Sequence, residues 1–236
     1  MSAWSVSAAE AQESTPPADF EAASIKRSTA TGEGASFDRR AGMLSIRNAT
    51  LQACIREAYG VSDSQIVGQR WLKPDRYDIV AKMPSGISGT AAQHGMLQRL
   101  LAERFKLALH RETREMQVYR LVAAKNGPQI QPVEAAAGGI GTGSGKVNAQ
   151  VIPMSRLAEF LGREQARLDH PVVDATGLSG LYTFTLEWTP DDRQNAGSPG
   201  TSIFAAIQEQ LGLKLEAGKG QVEAIVVEHA ETPTGN

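Results

Sequence analysis

The sequence predicts an α+β fold of two tandem pseudo-repeats, each of order β-α-β-β-α-β-β, packed as one compact body with helices on one face of mixed or antiparallel sheets. Interleaved short strands and helices, with pairs of strands close enough to be neighbours, predict this class. Three internal matches predict the duplication: residues 76–84 with 181–190 at an offset of 105, 100–109 with 206–215 at 106, and the helix starts after Thr50 and Pro153 at 103. The matched positions are mostly apolar core positions, such as Phe105 with Leu211. The duplication therefore describes the scaffold.

The first repeat follows from periodicity and capping residues. Asn48 or Thr50 is a suitable N-cap, and Gly60 ends the helix that follows. The predicted elements are an edge strand at 20–26, strand Met43–Ile46, helix Leu51–Tyr59, strand 66–67, strand Tyr77–Ala81, helix Ala92–Arg104, and strands Lys106–His110 and Gln117–Ala123 joined by the charged stretch 111–115.

The second repeat shows the same order. Leu181–Trp188 alternates strictly between apolar and polar residues, as a half-buried strand does. The other predicted elements are strand Val147–Val151, helix Met154–Arg163, strand His170–Val173, a turn at 176–180, a polar loop at 191–200, helix Ser202–Leu211, and a hairpin of Lys214–Glu216 with Gln221–Val227 that turns at 218–220.

The chain divides into four segments on this basis. Residues 1–19 carry small-residue patterns and a Pro-Pro spacer, which indicate a disordered leader or signal-peptide remnant without its charged start and apolar stretch. Residues 20–125 form the first repeat, the Gly/Ala/Pro-rich segment 126–145 a linker or mobile loop, and residues 146–236 the second repeat. The leader favours a secreted or periplasmic location.

Charge and composition exclude several classes of protein. The formal net charge is −2, with Lys and Arg spread along the chain, so nothing indicates a nucleic-acid partner. No apolar run approaches the ~20 residues of a membrane-spanning helix. The one cysteine, Cys54, lies on the apolar stripe of the first helix and is expected to be a packed thiol.

A nucleophilic site has one weak candidate. The G-x-S-x-G elbow of many hydrolases is absent, but a serine, a histidine and an acid can also come together from distant positions. His170 and Asp174 are four residues apart and share a face on a straight strand, with Ser179 on the adjoining turn. The alternative is a histidine at a strand end and an aspartate that caps a turn.

Metal and ligand candidates are equally sparse. The four histidines are too far apart in sequence for a dedicated zinc site. Glu187, Asp191 and Asp192 offer oxygen ligands to calcium, the one cofactor considered, although a solvated acidic loop explains them as well. The aromatic row Tyr182, Phe184 and Trp188 either lines a ligand groove or packs in the core.

Several segments resemble one known family. They are FEAASIKRS, RNATLQACIREAYGVSDSQIVGQRWLKPDRYDIVAK, MLQRLLAERFKLALHRETREMQVYRL, PVVDATGLSGLYTFTLEW and FAAIQEQLGLKLEAGKGQVEAIVVEHAETPTGN. The chain resembles the soil-associated protein family of unknown function, abundant in acidobacteria, from about Phe20 to Asn236. The resemblance implies a secreted or envelope-associated bacterial protein, since members generally begin with a signal peptide and some are fused to membrane-embedded sensor peptidases. It implies no catalytic residues.

Two functions remain open. The first is an extracytoplasmic module that binds a small-molecule ligand or an envelope protein. The second is a hydrolase of small esters or lactones, independent of metal or assisted by calcium, that uses His170, Asp174 and Ser179.

Overall fold

The computed structural model describes residues 19–233 except 33, 41, 69, 71, 73, 88, 136–137, 163–167 and 191–199. Its helices are α1 (Leu51–Tyr59), α2 (Thr90–Arg104), α3 (Met154–Leu161) and α4 (Ile203–Leu211). Its strands are β1 (Ala22–Arg27), β2 (Ser36–Arg40), β3 (Met43–Thr50), β4 (Ile66–Val67), β5 (Arg76–Lys82), β6 (Ala108–Ala123), β7 (Ile140–Gly143), β8 (Lys146–Ile152), β9 (Val172–Asp174), β10 (Tyr182–Glu187) and β11 (Leu213–His229). The α+β class is confirmed. No helix in the described part is both long and apolar enough to cross a bilayer.

Each repeat has a small antiparallel sheet of its own. The first repeat has the order β1-β5-β3-β2 and the second the order β10-β8-β7. Burial alternates along β10, with Tyr182, Phe184 and Leu186 inside, so helices cover one face of the sheet. The predicted edge strand is β1, and its counterpart in the second repeat is a single bridge between Pro132 and Tyr182. The duplication is therefore visible in the strand order.

The third sheet contains strands from both repeats. Its order is β4-β11-β6-β9, with β6 and β11 antiparallel along their whole length. The short strand β4 of the first repeat pairs in parallel with β11 of the second, and β9 of the second pairs in parallel with β6 of the first. Each repeat therefore supplies one long strand to its partner.

Two predicted strand breaks near the repeat ends, the charged connection at 111–115 and the hairpin turn at 218–220, are wrong. The charged stretch 111–115 lies inside the continuous strand β6, and the predicted turn 218–220 lies inside β11. Gly218 pairs with Val118 and Gly220 with Met116. A Cβ atom on Gly220 would lie 3.0 Å from Val118 Cγ2, so this glycine admits a neighbouring side chain and does not make a turn.

The hydrophobic core is divided in two, and each part is completed by the other repeat. The first part contains α1 and α2 together with Ile225 and Val227 from the far end of β11. The second contains α3 and α4 together with Leu121 from the far end of β6. Leu121 and Val227 occupy equivalent positions, 106 residues apart. Each repeat therefore contributes the far end of its long strand to the core of the other repeat in the same way.

The repeats also share a left-handed bulge before the first helix. Asn48 and Val151, 103 residues apart, both have a φ of 53°. The Asn48 amide donates to Asp78 Oδ1 at 2.9 Å, and the Val151 amide donates to Thr183 Oγ1 at 3.1 Å. A side chain on the neighbouring strand thus satisfies the amide that the bulge removes from the ladder.

Strand β7 lies within the segment 126–145, for which the sequence predicts a linker. The same segment holds Ile130, which is buried in the second core, 105 residues after the buried Ile25. Its first part therefore repeats the region of β1. The domain boundaries themselves stay a prediction.

Candidate ligand-binding groove

A groove of about 420 Å³ lies between the two repeats. The first repeat lines it with β2, α1 and the start of α2, and the second with β7 and α3. Arg39 of β2 and Thr142 of β7 stand at equivalent positions, 103 residues apart, and both reach the groove. We call this site the inter-repeat groove.

Helices α1 and α3 position charged side chains that line the inter-repeat groove. Helix α1 begins at the N-cap Thr50, whose hydroxyl accepts from the Ala53 amide at 3.2 Å, and ends at the left-handed Gly60. Its inner face is buried in the first core, which leaves Arg56 and Glu57 on the outer side. Helix α3 presents Arg156 from the second repeat. The two helices thus direct charges into one space.

Ion pairs hold these charges in place. Glu57 pairs with Arg39 and lies 3.6 Å from His94 Nε2. The other two guanidinium groups pair with exposed carboxylates that do not themselves line the groove. The distance is 2.7 Å both from Arg56 Nη1 to Asp63 Oδ2 and from Arg156 Nη1 to Glu159 Oε2. Guanidinium groups of Arg39, Arg56 and Arg156 therefore share the inter-repeat groove with one lining carboxylate, Glu57, among its described residues.

A second pocket of about 370 Å³ adjoins the inter-repeat groove and shares Gly60 and Val61 with it. Arg111 lies over the Tyr59 ring, with its Cζ 5.9 Å from the centroid, and pairs with Glu223. Burial raises the pKa of the Tyr59 hydroxyl, against a smaller opposing effect of the Arg111 charge. The Tyr59 hydroxyl therefore stays protonated at neutral pH.

The residues predicted as a catalytic set each have a different partner. His170 Nε2 lies 3.6 Å from Asp169 Oδ2, and the His170 ring lies against that of Tyr119, with centroids 5.7 Å apart. Asp174 Oδ1 accepts from the Thr176 amide at 3.0 Å and from its hydroxyl at 2.8 Å. The predicted residue Ser179 is exposed and accepts the Tyr182 hydroxyl on its backbone carbonyl at 3.3 Å.

No hydrogen bond joins His170, Asp174 and Ser179 to one another in the described part of the chain. Asp174 caps the turn after β9, which is the alternative that the sequence left open. The ester or lactone hydrolase stays a prediction.

The predicted calcium ligands are only partly described. Glu187 Oε1 lies 2.5 Å from Lys146 Nζ, and the Glu187 backbone exchanges two hydrogen bonds with the Gln210 amide. Asp191 and Asp192 lie outside the described residues. Within those residues, no group of three or more His, Cys, Asp or Glu side chains is placed to hold a metal. Calcium binding stays a prediction.

Two other interpretations are decided by burial. Tyr182, Phe184 and Trp188 are all buried in the second core, so the aromatic row is packing and not a ligand surface. Cys54 is fully buried, and burial raises the pKa of its thiol to about 12. The expectation of a packed thiol is confirmed.

Sequence reasoning missed the inter-repeat groove because its residues form no local pattern. Arg39 lies beside Arg40 in a charged stretch, and Arg56 and Arg156 lie on the polar faces of amphipathic helices, positions that are ordinary for surface arginines. The 103-residue offset between α1 and α3 also relates Arg39 to Thr142, but the sequence predicts neither β2 nor β7, so no sequence signal identifies this site.

Comparison with known proteins identifies the family but no function. A model of the family described as "Protein of unknown function (DUF3738)" matches residues 52–230, which covers most of both repeats. The chain therefore belongs to this family. No curated protein and no solved structure gives a significant match.

Proposed function

We propose that this member of the DUF3738 family is a non-catalytic, extracytoplasmic module that binds a small anionic ligand in the inter-repeat groove. The convergence of Arg39, Arg56 and Arg156 from both repeats carries the proposal. Their guanidinium groups present planar, paired donors that match carboxylate and phosphate oxygens. Because a guanidinium stays protonated at any physiological pH, it recognises an anion without transferring a proton.

The ion pair of Arg156 is weak enough for a ligand to replace it. In the pair of Arg156 with Glu159, both side chains are 54% exposed, and an exposed pair of this kind stabilises by about 0–1 kcal/mol. A ligand that binds two guanidinium groups at once replaces such pairs at little cost. Arg56 is less exposed, at 18%, so a bound anion there is better shielded from solvent.

An extracytoplasmic location is supported by the small-residue patterns of residues 6–11 and by the resemblance to a family of exported proteins. A small solute or an acidic envelope protein are both compatible partners. Cell fractionation of the native gene product tests the location, and recovery in the cytoplasm would contradict it.

Calorimetric titration tests the anion site directly. Succinate, citrate and pyrophosphate separate carboxylate from phosphate recognition, and each is titrated with and without calcium. We expect a measurable Kd for at least one of them and an increase of about tenfold or more in Arg56→Gln and in Arg156→Gln, because each change removes one charge-assisted pair.

The matched control is Arg114→Gln. Arg114 pairs with Glu112 on β6 at 2.8 Å and is also an exposed Arg–Glu pair, but it does not line the inter-repeat groove. We expect the Kd in this variant to stay within about twofold of the unmodified protein. Equal loss in all three variants would show a nonspecific charge effect, and no binding of any anion would refute the proposal.

The same protein preparation tests the hydrolase. Turnover of chromogenic esters or lactones that disappears in His170→Ala would replace the binding proposal with the catalytic one. Absence of turnover in both forms, together with anion binding, would support the binding module.

A further inference from the structure

We propose that the ligand of the inter-repeat groove is an extended acidic peptide segment, which adds as a strand to the open edge of β7. This inference rests on the proposed anion site and names the ligand class. It depends on two further features of the groove: the strand edges that border it and the glycines of β7.

Two strand edges border the inter-repeat groove. β2 ends the sheet of the first repeat and β7 ends that of the second, and neither pairs with a further strand in the described part of the chain. Arg39 of β2 and both Ile140 and Thr142 of β7 line the groove. Exposed backbone donors and acceptors on such an edge are a template for another strand.

The register shows which backbone groups point outward. β7 pairs Gly143 with Lys146 next to a tight turn and Gly141 with Asn148 two residues further on. In an antiparallel hairpin of this kind these residues bond to the partner strand, while the alternate residues direct their N–H and C=O groups away from it. The outward groups of β7 are therefore those of Ile140 and Thr142, the two residues that line the groove.

Glycine makes β7 the better of the two edges. β7 has Gly141 and Gly143 where β2 has Asp38 and Arg40, and both glycines have open space at the position of a Cβ atom or only distant contacts. Glycine in a strand allows another backbone to approach closely. β2, in contrast, supplies the charged side chain of Arg39 across the groove.

Charge decides the class of peptide. A strand added to β7 presents alternate side chains to one face, with a repeat of two residues. Acidic residues at those alternate positions reach Arg56 and Arg156, while the intervening residues face the opposite side. A basic peptide would place its charges against the guanidinium groups and is disfavoured.

The test uses four probes with the unmodified protein. They are glutarate, the blocked peptide acetyl-Glu-Val-Glu-Val-Glu-amide, the same peptide N-methylated at all five residues, and its Lys-for-Glu counterpart. We expect the acidic peptide to bind about tenfold or more tightly than glutarate, since strand addition contributes two or more backbone hydrogen bonds. N-methylation removes those donors and should reduce the affinity to that of glutarate.

A pair of variants tests the edge itself. Thr142→Pro removes the outward N–H without a loss from the β7–β8 ladder, and should bring the ratio of the glutarate Kd to the peptide Kd, both measured in this variant, down towards one. Thr142→Val, which keeps the N–H and removes the hydroxyl, should retain the advantage. Circular dichroism verifies folding, and if Thr142→Pro does not fold, the N-methylated peptide still decides.

The outcomes separate this inference from the proposed function. Glutarate binding with equal affinity for the plain and N-methylated peptides would refute strand addition and leave the anion site intact. Equal binding of the Lys peptide would refute the acidic class. Failure of every peptide to bind, while glutarate, succinate, citrate or pyrophosphate binds, would refute this inference alone, and failure of all the anions and peptides would refute both proposals.

Discussion

The two repeats build the same backbone bulge and support it with different chemistry. In the first, Asn48 is buried, and its side-chain amide donates to the carbonyls of Gly32 at 2.6 Å and Gly34 at 3.1 Å. In the second, Val151 has the same left-handed φ of 53°, a conformation that disfavours β-branched residues. The comparison shows that the geometry is kept where the residue type is not.

The same contrast holds for the acceptor of the bulge amide. The first repeat uses a carboxylate, Asp78, and the second a hydroxyl, Thr183. The bulge therefore depends on an acceptor at this position and not on its charge. The second repeat has the backbone strain, at Val151, and the first has the group that titrates, Asp78. Each difference can be tested by substitution of the residue in one repeat with its counterpart from the other.

We expect the largest loss of stability from substitutions in β6 and β11, the two long strands whose far ends are buried in the core of the other repeat. Leu121 belongs to the first repeat in sequence but is fully buried in the core of the second. We expect Leu121→Ala to reduce the free energy of unfolding by about 2–5 kcal/mol, because it leaves a cavity in a closely packed core. Urea denaturation measures the cost, and native-state hydrogen exchange shows which core opens.

Hydrogen exchange in Leu121→Ala should increase first in α3 and α4, not in α1. Val227→Ala, the equivalent change in the second repeat, should act on α1 and α2 with a smaller cost, since it removes fewer carbon atoms. The control Thr113→Ala, at an exposed position on β6, should stay within about 0.5 kcal/mol. If hydrogen exchange in Leu121→Ala increased first in α1, Leu121 would not act on the core of the second repeat, and the interpretation that β6 completes that core would be wrong.

The sequence predicts the individual helices and short strands well, but it does not predict the sheet in which β6 and β11 pair between the repeats. Helices α1 and α3 follow from periodicity and from the 103-residue offset, and both begin at the predicted residues Leu51 and Met154. The continuity of β6 and β11 could not be predicted, because a charged stretch and a Gly-x-Gly sequence are typical of turns. Each of these strands pairs along its length with a strand about a hundred residues away in the chain, and local patterns do not show such a partner.

The candidate site shows the same limit. The predicted catalytic set lies within one repeat, at residues 170–179, because spacing along a single strand is visible in the sequence. The inter-repeat groove combines Arg39 and Arg56 with Arg156, which lies a hundred residues or more further along the chain. Such a site depends on how the repeats pack, and single-sequence periodicity carries no information on that packing.

Exchange of the bulge residues has the next largest effect. Asn48→Val removes two partly buried hydrogen bonds and places a β-branched residue at a positive φ, so we expect a loss of about 2–4 kcal/mol. Val151→Asn makes the second repeat resemble the first and should gain about 1 kcal/mol, since asparagine tolerates this conformation better. Both are measured by urea denaturation, and a loss of stability in Val151→Asn would show that the second bulge stores no strain.

The smallest expected effect concerns pH. The hydrogen bond from the Asn48 amide, with smaller contributions from Ser28 and from the Lys26 charge, holds the pKa of Asp78 below its ordinary value of 3.8. A carboxyl whose pKa is lowered by folding stabilises the folded state above its unfolded pKa. This stability is lost as the pH falls from the ordinary value through the lowered one. Thr183, with no titrating group, contributes no such dependence.

We therefore expect Asp78→Asn to lose less stability than the unmodified protein between about pH 6 and about pH 3, because the neutral amide oxygen still accepts from Asn48 at both values. The difference should be small, since the Asp78 side chain is 23% exposed and partly screened. Thr183→Val, the matched change in the second repeat, should lower stability equally at both pH values, because it removes an acceptor without a charge. If Asp78→Asn kept the full acid sensitivity, other carboxylates would account for it, and the two bulges would differ in residue type but not in their response to pH.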